Sequence, residues 1–168
     1  PMSWEGRPPF PAVYCRHCGR SGWGVGLGPV GLDLDTDDST IRRNHAAREG
    51  RFRALLYAPL EAESAYFDRQ DVEGLRWFSV KQRAILPAPP PDDDPDFLDG
   101  WILPVLALVG TDADEASRDD TCPSCLQNDG IRFLGSAIAT LLSVSLSTLF
   151  NDAHLDAREK KALVFTDS

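Results

Sequence analysis

No stretch of this sequence is apolar for long enough to cross a bilayer. The longest runs, Trp101 to Val109 and Phe133 to Phe150, are too short or too interrupted by serine and threonine. No charged start followed by an apolar segment marks a secretory leader, so the expected compartment is cytoplasmic, with no membrane partner. Positive charge is also scarce. Lysine and arginine number 17 against 26 aspartates and glutamates, a net charge of −9. Domains that bind nucleic acid unaided are usually basic, so any such role here needs a local patch or a partner domain. Histidine is limited to His17, His45 and His154, none in a recognisable base position. The phosphate-binding Gly-x-x-x-x-Gly-Lys-Ser/Thr loop, His-Glu-x-x-His, Gly-x-Ser-x-Gly and the kinase signatures are all missing. The carboxylates are many but gather in loops, which is weak support for a paired acid and base. The chain is therefore expected not to be catalytic by itself.

What is present is four cysteines in two pairs. Cys15-Arg16-His17-Cys18 and Cys122-Pro123-Ser124-Cys125 are separated by 103 residues. Each Cys-x-x-Cys makes a tight turn whose backbone N–H groups can point at thiolate sulfur. Two such knuckles supply the four sulfurs that tetrahedral Zn²⁺ takes. A disulfide is disfavoured in the cytoplasm. A redox pair needs a thioredoxin-like βαβ setting that neither motif has. An iron–sulfur cluster also takes four cysteines and stays open as an alternative. A closed four-sulfur zinc site has no free coordination position, so its expected role is to stabilise the fold. His17, inside the first knuckle, is expected at the surface and not as a ligand.

The rest of the chain reads as α+β. Residues 1–11 are expected to be extended and Ala12 to Tyr14 to form a short strand. Gly19 to Gly31, with six glycines, reads as a loop; its resemblance to a phosphate loop fails for want of the Lys-Ser/Thr. The acidic run Asp33, Asp35, Asp37, Asp38 does not match the calcium-loop spacing. It leads instead to a helix over Ile41 to Glu49, capped by Ser39 or Thr40 and ended by Gly50. Arg42, Arg43, Arg48, Arg51 and Arg53 form a local basic patch. It is a candidate for contact with DNA or RNA, or for pairing with acidic loops of the same chain. Strands are expected over Phe52 to Tyr57, Leu75 to Val80, Arg83 to Leu86, Trp101 to Val109 and Ile131 to Leu134. Pro87 to Pro95 reads as an extended Pro/Asp linker, and Gly110 to Asp120 as an acidic loop. Gly135 to Asn151, which carries no charged residue, reads as a long buried helix.

At the C-terminus, Ala-Leu-Val-Phe-Thr-Asp-Ser (162–168), preceded by Lys160-Lys161, resembles the first strand of the second RecA-like domain of large superfamily 2 DEAD/DEAH-box helicases. That group often carries a cysteine zinc module between its motor domains, and Tyr14 to Gly19 is similar to the opening of that module. The resemblance covers the two knuckles and about the last forty residues; 32–120 rests on composition alone. It implies a division into 1–31 as the first half of a zinc ribbon and 32–120 as an inserted α+β segment with its linker at 87–96. Residues 121–134 would be the second half of the ribbon, and 135–168 the helix and first strand of a truncated RecA-like domain. It also implies a bacterial ATP-dependent helicase as parent, with ATP and Mg²⁺ bound only there and the RecA-like motor domains as partners. Pro1 ahead of Met2 and the abrupt terminal strand fit a piece of a longer protein. The first expectation is thus a non-catalytic zinc-ribbon accessory domain of a helicase. The alternatives are a stand-alone zinc-dependent protein-interaction module and an enzyme with an unrecognised site.

Overall fold

Short runs rich in β-branched and aromatic residues recur from Ala12 to Phe133, and they pair into a single antiparallel sheet. The structure, a computed structural model, describes residues 10–28, 33–35 and 37–135. In chain order the elements are β1 (Ala12–Cys15), β2 (Ser21–Leu27), β3 (Leu34–Asp35), α1 (Asp38–Ala46), β4 (Phe52–Tyr57), α2 (Pro59–Phe67), β5 (Leu75–Ser79), β6 (Ala84–Leu86), α3 (Pro95–Leu98), β7 (Ile102–Leu106), α4 (Ala113–Arg118) and β8 (Ile131–Phe133). The eight strands lie in the order β6-β5-β7-β4-β2-β1-β8, with β3 paired to β2 beside that path. The described fold is therefore sheet-rich α+β. The expected helix over 135–151, the terminal strand and the extended segment before Phe10 lie outside the described residues.

β4 explains why the sheet has two cores. Side chains alternate faces along a strand, and Phe52, Ala54 and Leu56 join one cluster while Leu55 joins the other. The first cluster also holds Val13, Ile41, Ile131, Cys15 and Cys122. The second is built on Val25, Phe78 and Val105, with Trp23 packed against it. The cysteine site is thus the margin of a hydrophobic core, not an appendage.

Several sequence expectations are corrected. The glycine-rich segment is not a loop but β2, registered against both β1 and β4. Its glycines fall at every second residue, on the crowded face. A Cβ on Gly22 would lie 1.8 Å from the Leu55 carbonyl oxygen, and one on Gly24 3.0 Å from the rings of Phe52 and Phe133. The missing side chains admit neighbours; they do not loosen the backbone. α1 begins at Asp38, capped by Asp37, whose carboxylate accepts from the Thr40 N–H at 2.8 Å. The acidic run, not Ser39 or Thr40, therefore supplies the cap. The helix ends not at Gly50 but with Arg48 in the left-handed region (φ 56°), where Glu49 N–H bonds Asn44 O and Arg48 N–H bonds His45 O. α3 begins where the Pro/Asp segment ends, with Pro95 at its first turn and Asp94 accepting from Asp96 and Phe97 N–H. The acidic loop before the second knuckle contains α4.

Candidate metal centre

Cys15 closes β1, and the chain then turns through Cys18 and returns as β2, with Cys15 N–H bonded to Arg20 O at 2.8 Å. The second knuckle follows α4. That helix ends on Asp120 in the left-handed region (φ 53°), with Thr121 N–H on Ala116 O and Asp120 N–H on Ser117 O. The Asp120 carbonyl then accepts from Gly130 and Ile131 N–H, closing the loop that carries Cys122 and Cys125. β8 leaves this loop and pairs with β1 in a register that sets Cys15 opposite Ile131. One antiparallel pairing therefore brings together two motifs that are far apart in sequence.

All four sulfurs lie within 4.8 Å of one another, and no disulfide joins them. The Cys15–Cys125 and Cys18–Cys122 separations are both 3.8 Å. A tetrahedral ion with bonds of about 2.3 Å to sulfur places its ligands about 3.8 Å apart, so the donor set fits one zinc-sized ion. The knuckles also point N–H groups at sulfur. His17 N–H approaches Cys15 Sγ at 3.4 Å, while Ser124 and Cys125 N–H approach Cys122 Sγ at 3.4 and 3.5 Å. Such contacts favour thiolate over thiol. Cys15 and Cys122 are buried, Cys125 is half-buried and Cys18 is exposed. Burial pushes the Cys122 thiol well above its usual range. A divalent cation among the sulfurs reverses that penalty, because a coordinating thiol is deprotonated outright.

The surroundings are tied by charge. Arg16 and Arg132 both bind the Asp129 carboxylate, and the Arg132 bond at 2.6 Å leads the causes holding that group below the usual carboxylate range. His45 Nε2 meets Asp120 Oδ1 at 2.6 Å, and its ring packs against Phe52 and Phe133 at 4.7 and 4.9 Å. α1 is thereby fastened to the second knuckle. Arg20, two residues past Cys18, pairs with Glu61 of α2 at 2.5 Å. Burial opposes ionisation of Glu61, but its bond to Arg20 holds the carboxyl below its usual range. Neither the His45–Asp120 nor the Arg20–Glu61 contact was legible in the sequence, because each joins residues distant along the chain. His17 is exposed, with Nε2 at 3.2 Å from the Asn128 carbonyl oxygen.

The five candidate arginines differ in exposure: Arg43, Arg48 and Arg51 are exposed, Arg42 is half-buried and Arg53 is buried. Arg53 is 6% exposed and donates to Gly50 O, Phe52 O and the Asp114 carboxylate. Arg42 binds Asp38 at 2.8 Å and lies over the Phe133 ring, while Arg43 donates to Thr40 Oγ1 at 3.2 Å. Arg48 donates to Arg118 O, and Arg51 to the carbonyls of Leu27 and Gly28. Among the described residues no helix is long and apolar enough to cross a membrane. Compared with protein-family models, curated proteins and solved structures, the chain matches none.

Proposed function

We propose that this chain is a zinc-stabilised, non-catalytic accessory module, in which Cys15, Cys18, Cys122 and Cys125 hold one structural zinc ion. The observation that carries the reading is the sulfur spacing of 3.8 Å in both cross-knuckle pairs. It suits a single tetrahedral ion, whereas a multinuclear iron–sulfur cluster spreads its thiolates more widely. Four protein sulfurs leave no position for water or substrate, so the ion contributes stability and not reactivity. A helicase as the parent protein, with ATP and Mg²⁺ in its motor domains, is the finer part of the proposal. It rests on the resemblance of the two knuckles and about the last forty residues alone. The full coding sequence tests that part: RecA-like motifs flanking this segment support it, and their absence removes it.

The zinc reading is tested on the purified chain by elemental analysis, with thermal melting before and after a strong chelator. Structural zinc in small peptides binds with about 10–16 kcal/mol of apparent free energy, comparable to the whole stability of a domain. The expected result is one zinc per chain and collapse of the melting transition on chelation. Iron in place of zinc, or melting indifferent to chelation, contradicts the proposal.

A further inference from the structure

α2 buries none of its residues completely. Its Tyr66 and Phe67 are 64% and 71% exposed, and Leu98 at the end of α3 is 70% exposed. Isolated exposed apolar residues need no explanation, but here Tyr66 and Phe67 border a groove of about 560 Å³. That volume is within the range of built ligand sites, about 300–1,000 Å³. Trp77 of β5 lies along the groove, packed edge-on to Phe97 at 5.5 Å. Tyr66 and Phe67 border it from α2, their rings 5.0 Å apart, and Pro89 and Pro90 line it as well. Tyr66 Oη donates to Asp92 at 3.3 Å, tying α2 to the Pro/Asp segment. Proline fixes its own backbone angle, so part of this lining is preformed.

The ionisable side chains that line the groove carry one sign. Glu63 and Asp92 contribute carboxylates, and among the described residues no lysine, arginine or histidine lines it. Asp93, the next residue in the chain after Asp92, is exposed. A nucleic-acid strand or an acidic segment would meet repulsion here. An entirely apolar segment would gain nothing from the rim. We infer that this groove is a docking site for a polypeptide segment bearing one bulky apolar anchor flanked by lysine or arginine. The anchor would enter among Tyr66, Phe67, Trp77 and Phe97, and the flanking cations would meet Glu63 and Asp92. The groove is separate from the cysteine site, and its use does not depend on a helicase parent.

The test uses the zinc-loaded full chain and short fluorescent peptides in anisotropy titrations. One peptide places a single tryptophan between lysine pairs; its counterpart replaces the lysines with glutamates. The basic peptide is expected to bind and the acidic one to fail. Phe67→Ser should weaken binding about tenfold, the loss typical of an interface anchor. Asp92→Lys should weaken it similarly and flatten its salt dependence. Leu126→Ser, an exposed leucine lining a different cavity, should leave binding unchanged. Zinc content and melting temperature of each variant show that the fold persists. No binding of the basic peptide, equal binding of both peptides, or indifference to Phe67→Ser overturns the inference. Competition by N-acetyltryptophanamide as strong as by the peptide overturns it in favour of a small-molecule pocket. Dimerisation in sedimentation velocity that Phe67→Ser abolishes overturns it in favour of self-association.

Discussion

At the scale of single residues, the site was legible where its chemistry is local and hidden where it is not. A Cys-x-x-Cys carries its own turn and its own ligands, so both knuckles could be read from the sequence. Arg53 shows the opposite case. In sequence it belongs to a run of basic residues; in the structure it is buried and its acidic partner, Asp114, is 61 residues away. Nothing near Arg53 in the chain announces α4 as its neighbour. Its loss should be structural. Arg53→Met keeps much of the apolar stem but leaves the Gly50 carbonyl without this donor, while Phe52 O keeps its bond from Ser117 Oγ. The expected destabilisation is about 1–3 kcal/mol, the usual cost of buried polar groups left unpaired, read as a lower urea midpoint with an unchanged slope. A midpoint within error of the parent would mean that Arg53 is not buried as described.

At the scale of elements, the strands were the most legible feature. β4 matches its expected span, and β1, β5, β6, β7 and β8 differ from theirs only at the ends. β2 was obscured because glycine content suggests a loop, although the glycines alternate with Trp23, Val25 and Leu27 in the period of a strand. Composition and periodicity pointed in different directions, and periodicity held. α2 was invisible because it has no buried stripe to give a helical period; Pro59 at its start was the available signal. β2 also yields a prediction. Gly22→Ala puts a methyl group into the β4 backbone, where no flexible side chain can yield. It should prevent cooperative folding or shift the melting transition far down, whereas Ser21→Ala, at an exposed position on the same strand, should be nearly silent. Circular dichroism melts of the two variants decide this, and a Gly22→Ala protein that melts like the parent contradicts the β2–β4 register.

At the scale of the whole molecule, one clasp and a set of carboxylates set the dependence on conditions. Asp37 is held below its usual range first by its bond to Thr40, Asp114 by Arg53 and Asp129 by Arg132. A carboxylate lowered in the folded state contributes stability above its unfolded value of about 4, and that contribution is lost as pH falls through the folded value. Thiolates holding the proposed zinc would act in the same direction, since protons compete with a metal for sulfur. Stability should therefore fall on acidification and not on mild alkalinisation. The double variant Asp114→Asn, Asp129→Asn should lose less stability than the parent between neutrality and pH 3, in melts that also record zinc release with a metal-sensitive dye. An identical pH profile would mean that these ion pairs do not persist in solution. The central claim is that one zinc ion joins two knuckles separated by 103 residues of sequence. X-ray absorption at the zinc edge on the purified protein tests it most directly. Four sulfurs at about 2.3 Å is the result the account predicts. A shell with nitrogen or oxygen ligands, or no zinc at all, would contradict it.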